Sequence, residues 1–554
     1  MGVAAFPIIG KLKLLGFGNL FQNFFAKIIH TTENFCNFIP VIDKHMKRGL
    51  FFTVALFTVY GCGSSESIAD KPLPPPTEER SVGKPENDMI LSSTVVSTSF
   101  VGNGAQWGGY DEIHRIFGVG NNELLTHNWQ KLFQRVRFMR PGLVRLMGGA
   151  GWNYLVNGNY DPSQSDKILI HVLDFCQAEG VNVIWGEWGH QGGESIDETW
   201  LGMALDFLSY LVKTKGYSCI KYYNMVNEPA GSWASTRENY SLWKTLIDKT
   251  YAGMEERGLL SKVQLLGPDA AVWTTAHLPW VTNSVKDLDN KLGAYCIHTY
   301  PTDDEIRSNF YASLLKAYRD PTPKLKPMLM GELGCKYSDN SLLGIKNTEM
   351  IAADEWSSSD SNMMIYYAFY GIDMALAYIR NMAAGYRGVV AWDMDDAMYH
   401  GTDGGFKRWG FWNILGEEMG KPADEMIRPW FYPISLLCRY FPSGCDIYKV
   451  TWGKERPTLD AVAAAKNSKY TLAVCNFGSD SQTVNFTMAY GRVLENAKIY
   501  KYEAANGFSA DFTGKTDHNG LPLPAESMTL DLTNRKPYIF EIAAQSVVVI
   551  TTME

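Results

Sequence analysis

From about residue 92 the chain alternates short apolar runs with longer amphipathic stretches, and it keeps this rhythm to about residue 440. Runs of strand length, rich in β-branched and aromatic residues, fall at 94–101, 143–147, 181–185, 220–226, 262–266, 294–297, 327–330 and 388–392. Between them the apolar spacing becomes helical, as at 167–175, 203–211 and 368–376. Eight strands alternating with helices predict an α/β fold, a (β/α)8 barrel with parallel strands. An open doubly wound sheet is the alternative, and the absence of a glycine-rich dinucleotide-binding loop after the first run weighs against it. Beyond about 442 the strand-like runs come closer together, at 459–464, 470–474, 483–487, 498–502 and 546–550, with turn residues such as Asn476 to Asp480 between them. That pattern predicts a C-terminal antiparallel β-sandwich. The expected boundaries are 91–441 for the barrel and 442–554 for the sandwich.

The N-terminal part reads differently. Lys47 and Arg48 precede an apolar stretch from Gly49 to Tyr60, which has the length of a signal-peptide core and is too short to span a bilayer. It ends in Val59-Tyr60-Gly61-Cys62, which resembles a bacterial lipoprotein box with Cys62 as the lipidated residue. Residues 1–62 are therefore expected to be a targeting region, with Met46 a candidate true start. The proline-rich and charged span 63–90 is expected to be a flexible tether. An exported bacterial lipoprotein follows, at the cell surface or in the periplasm, touching the membrane only through its anchor.

Size and charge narrow the partners. With 554 residues the chain can bury a large core, and a net charge of -8 argues against a nucleic-acid partner. Aromatic residues make up 13 %, including 16 Trp and 29 Tyr, which suits stacking on sugar faces as well as packing. The nine cysteines form no C-x-x-C pair. Cys438 and Cys445 are near enough in sequence to bridge in an oxidising compartment, but thiols are expected. A monomer is expected.

Two glutamates stand out. Glu228 follows the run 220–226 and precedes Pro229, which cannot extend a strand. Glu332 ends the run that begins near Pro327. In a parallel barrel such positions line the mouth where ligands bind. Arg145, Glu187, Trp188, His190, Asn227, Asp269, His298, Tyr300 and Trp392 share that end of the predicted strands. Two carboxylates facing one hollow suit acid/base chemistry at a glycosidic bond. No cofactor or metal is expected. Asp393, Asp395 and Asp396 with His400 show no recurring ligand spacing, so a solvated or sugar-binding loop is expected there.

Asn227-Glu228-Pro229, His298-Thr299-Tyr300, Gly331-Glu332-Leu333-Gly334 and Trp392 together resemble the signature of clan A retaining glycoside hydrolases, family 5 above all. The C-terminal region, entered through Phe441-Pro442-Ser443-Gly444, is more similar to families 30 and 39. The resemblance implies a β-glycoside hydrolase acting on a poly- or oligosaccharide, with Glu228 as acid/base and Glu332 as nucleophile. It implies that Asn227 holds the sugar 2-hydroxyl, that Arg145 and Tyr300 orient Glu332, and that Trp392 floors the subsite. Near the third strand the chain departs from family 5, reading Trp185-Gly186-Glu187-Trp188-Gly189-His190. Either His190 substitutes for the usual histidine or Glu187 faces the sugar. A glycan-binding lipoprotein without turnover and a transglycosylase are the alternatives.

Overall fold

Eight parallel strands form a ring, and each is adjacent to its neighbour in chain order. The structure is a computed structural model that describes residues 88–110 and 124–554, all within one compact unit, Ser81–Glu554. Cys62, the targeting region 1–62 and most of the expected tether lie outside the described residues. In chain order, strand β1 is Asp88–Ser97, and the ring consists of β2 (Gly102–Ala105), β3 (Leu143–Gly148), β4 (Asn182–Glu187), β5 (Ile220–Asn224), β6 (Gln264–Ala271), β7 (Leu292–Thr299), β8 (Met328–Leu333) and β9 (Gly388–Ala391). The ring closes where Gln106 bridges Arg145 in parallel and the Trp107 N–H donates to the Arg145 carbonyl at 2.8 Å.

The inside of the ring has two layers, which follow from the two-residue period of a strand. Leu143, Ile184, Tyr222, Leu266, Cys296, Leu329 and Val390 form an apolar plug. Two residues further along four of these strands stand Arg145, Asn224, His298 and Trp392. The face that fills the barrel below therefore carries the polar groups above. Outside the ring, helices such as Leu169–Glu179, Glu198–Ser209 and Ala368–Ala383 cover the strands with a large apolar core.

The first expected strand is the main departure. The run 94–101 does not enter the barrel: β1 pairs antiparallel with Asp446–Trp452 and parallel with Gln482–Met488. Its Met89 and Leu91 belong to the core of the C-terminal domain. That domain therefore includes a strand from the N-terminal side, and residues 88–90 of the expected tether are already part of it. The true first barrel strand, Gly-Asn-Gly-Ala, has almost no side chains by which a strand could be recognised. Contact explains the composition, because a Cβ at Gly104 would lie 1.7 Å from the Leu143 carbonyl oxygen. Only glycine lets β2 approach β3 this closely.

The C-terminal domain is a ten-stranded sheet folded over one apolar core, which includes Val450, Leu472, Val484, Phe486, Ile499 and Val548. Every pairing is antiparallel except that of β1 with Gln482–Met488. Its other face packs on the helix Ala368–Ala383, where Tyr502 donates to the Ala368 carbonyl at 2.7 Å and Arg380 pairs with Asp460 at 2.7 Å. Cys438 and Cys445 are buried free thiols.

Candidate active site

Arg145 organises the mouth of the barrel. Its side chain is fully buried, and its guanidinium donates to Gln106 at 3.0 Å, Glu332 at 3.0 Å, Asn227 at 2.6 Å and Asp269 at 2.8 Å. One planar fork thus ties together the ends of β3, β5, β6 and β8. Asp269 is the other fixed point. Its Oδ2 also accepts from Asn224 at 2.5 Å, and its Oδ1 lies 2.8 Å from His298 Nε2. Burial alone would raise the Asp269 carboxyl, but Arg145 and His298 outweigh it and hold the group well below the usual carboxylate range.

Glu228 and Glu332 face each other across this network. One oxygen of each, with a ring nitrogen of His298, lies within 4.8 Å of the others. Tyr300 donates to Glu332 Oε1 at 2.5 Å and Arg145 to Oε2. Glu228 Oε1 lies 3.1 Å from His298 Nδ1, and its Oε2 accepts from the Trp233 indole N–H at 2.8 Å. The Glu228 backbone is left-handed, φ 50°, an uncommon conformation for a glutamate and one that concentrates at functional sites.

The charge on each carboxylate follows from the groups that reach it. Burial raises the Glu228 carboxyl, yet His298 and Trp233 together bring it below its ordinary value. Burial raises Glu332, His298 and Arg145 oppose that, and the neighbouring Glu228 adds repulsion that leaves it above its ordinary value. His298 is the cation beside them. Burial disfavours its charge, but Asp269 and Glu332 raise it well above the usual imidazole range. Arg145 thus depresses Glu332 without outweighing burial and Glu228, and Glu228 sits against the positive charge of His298. Asp269, Cys296 and His298 form a second close donor group. The guanidinium between Asp269 and Glu332 already supplies the positive charge such clusters call for.

The remaining expected residues divide. Asn227, His298 and Tyr300 join the network. Trp392 stands at its edge, stacked on Tyr399 at 5.0 Å, with Trp188 edge-on at 6.3 Å. His190 does not converge: Ser235 Oγ lies 2.8 Å from Nδ1 and the Gly193 carbonyl 2.8 Å from Nε2. Glu187 is buried beside the Tyr154 hydroxyl at 3.3 Å, and burial pushes its carboxyl up to about 8. Asp393, Asp395 and Asp396 form no solvated loop, because all three are fully buried. Asp396 pairs with Arg408 and Arg428, while Asp395 accepts from Tyr110 and Trp412.

Sequence reasoning passed over Gln106, Asn224, Trp233 and Trp273. The last two pack edge to face at 5.8 Å and are 59 % and 41 % exposed. The available signal was an apolar ring among the small and polar residues Gly231, Ser232 and Ser235, five residues past Glu228.

No protein-family model and no curated protein matches the sequence. Solved structures do match over most of the chain. A glycoside hydrolase family 30 subfamily 8 xylanase from Clostridium acetobutylicum is 13 % identical, covers 84 % of this chain and 100 % of its own, and superposes with a TM-score of 0.52. A family 51 α-L-arabinofuranosidase from Bifidobacterium longum is 14 % identical over 84 % of this chain and 100 % of its own, with a TM-score of 0.56. A family 39 enzyme from Xanthomonas axonopodis pv. citri is 11 % identical over 84 % and 96 %, with a TM-score of 0.53. The chain thus has the barrel-plus-β-domain fold found in these glycoside hydrolases.

Proposed function

We propose that this protein is a retaining hydrolase of β-glycosidic bonds in a poly- or oligosaccharide. The carrying observation is the approach of Glu228 and Glu332 to within 4.8 Å at their nearest oxygens, at one end of the barrel. Retention needs carboxyl groups about 5–5.5 Å apart, whereas inversion leaves about 6.5–9.5 Å for a water molecule. Glu332 is the nucleophile: Arg145 and Tyr300 fix both its oxygens, leaving one direction of approach to an anomeric carbon. Glu228 is the acid that protonates the departing oxygen, then the base that takes the proton from the incoming water. Asn227, braced by Arg145, holds the sugar 2-hydroxyl, and Trp392 forms the floor. Cys62 serves as the lipid attachment point, a reading supported by the sequence alone.

A protein that only binds glycan has no use for two such carboxylates at this distance, since their repulsion costs stability and adds nothing to stacking. The test is release of reducing sugar from a panel of plant, fungal and host β-glycans by wild type and Glu332→Gln. Turnover by the wild type that the variant loses supports the proposal. Binding without turnover by the wild type makes the protein a lectin-like receptor, and chain lengthening instead of hydrolysis makes it a transglycosylase.

A further inference from the structure

The His298 ring is wholly buried and touches three carboxylates. Nε2 is 2.8 Å from Asp269 Oδ1, while Nδ1 is 3.1 Å from Glu228 Oε1 and 3.7 Å from Glu332 Oε2. The groups facing it are Glu228 after β5, Asp269 on β6, Glu332 on β8 and Arg145 on β3, with Cys296 from its own strand. Asp269 is kept ionised by Arg145 and Asn224 on its other oxygen, so it can only accept from the ring, and Nε2 carries a hydrogen. A neutral ring in that tautomer would point a bare Nδ1 lone pair at two carboxylates. A proton must therefore occupy the gap between Nδ1 and Glu228.

Two arrangements satisfy this, with the proton on Glu228 or on the ring. The Trp233 N–H on Glu228 Oε2 favours the carboxylate, and the Asp269 charge behind Nε2 favours the imidazolium. We propose that the proton Glu228 passes to the leaving group is stored on His298 Nδ1, held there by Asp269 as a positioning residue. The idea rests on the reading of Glu228 as the acid/base. As the glycosidic C–O bond breaks and the anomeric carbon bonds to Glu332, one proton leaves the Glu228–His298 pair for the departing oxygen. The ring is then neutral, with its lone pair facing the Glu228 carboxylate. That repulsion makes the pair a strong base for the second step. Water bonds to the anomeric carbon, the bond to Glu332 breaks, and the water proton returns to the pair.

The charge balance of the site agrees, since the neighbouring carboxylates favour the imidazolium more than burial opposes it. Nitrogen-15 NMR of the histidine-labelled full chain tests the inference without substrate, with the His298 signals assigned by their loss in His298→Asn. Both ring nitrogens are expected to carry protons at pH 7 and to lose one only above the usual imidazole range, and Asp269→Asn should lower that midpoint by at least one pH unit. A neutral ring at pH 7 in the wild type overturns the proposal, even if the enzyme is active. A kinetic arm uses phenyl and 2,4-dinitrophenyl glycosides of one sugar. Asp269→Asn should lose at least tenfold more on the phenyl compound, whose departure needs the proton. Equal losses on both would make Asp269 only a brace for Arg145. An inactive wild type with a charged His298 would instead reject the glycosidase reading and leave the stored proton standing.

Discussion

Arg145, on the second strand of the ring, donates to Glu332, on the seventh, across 3.0 Å in a fully buried setting, and the same guanidinium holds Asp269 at 2.8 Å. The two acids need this cation, because buried carboxylates without a partner are costly. Replacing Arg145 by Met would leave both with only the charge of His298, which they already share with Glu228. We expect a loss of about 3–5 kcal/mol in unfolding free energy, measured by urea titration, together with loss of activity.

Acid should weaken the fold through the same pair. The Asp269 carboxyl is depressed in the folded protein, so its contribution is present above the unfolded value of about 3.9 and disappears as pH falls through the lower folded value. Stability measured from pH 6 downward should drop below about pH 4 in the wild type. In Asp269→Asn this part of the decline should be absent.

Trp233 is expected to tune Glu228. Phenylalanine at 233 keeps the ring but loses the N–H at 2.8 Å from Oε2, which favours the carboxylate. The alkaline limb of kcat/KM should therefore move to higher pH, by up to about one unit. No movement, or movement to lower pH, would show that the indole contact does not act on the acid.

Gly104 tests how tightly the ring closes. A methyl group there meets the Leu143 carbonyl at 1.7 Å, which rotation of a side chain cannot relieve. Gly104→Ala should cost about 3 kcal/mol or more, read as a fall in the unfolding midpoint.

Much of the barrel was legible because its strands are buried on both faces and read as apolar runs. Seven of the eight expected runs overlap ring strands, since 143–147, 181–185, 220–226, 262–266, 294–297, 327–330 and 388–392 meet β3 through β9. The eighth failed for a physical reason. β1 carries Met89 and Leu91 toward an apolar core, as any half-buried strand would, and nothing local reveals that its partner strands come some 350 to 400 residues later. The true β2 is built from glycines selected for backbone approach, which leaves no pattern to read. At the site, residues near or just past the C-terminal ends of strands were readable by position, hence Arg145, Asn227, Glu228, His298, Tyr300 and Glu332. Charge balance was not readable. It depends on which donors reach which oxygens, as His298 between Glu228 and Asp269 shows. His190 illustrates the limit, because a histidine near the right strand end is consumed by Ser235 and Gly193.

The central claim concerns two glutamates acting in succession on one anomeric carbon, and the configuration of the first sugar released reports on it most directly. Proton NMR during the first turnovers, before mutarotation, should show the β-anomer from a β-linked substrate. Initial release of the α-anomer would mean a single displacement by water, and would contradict the account.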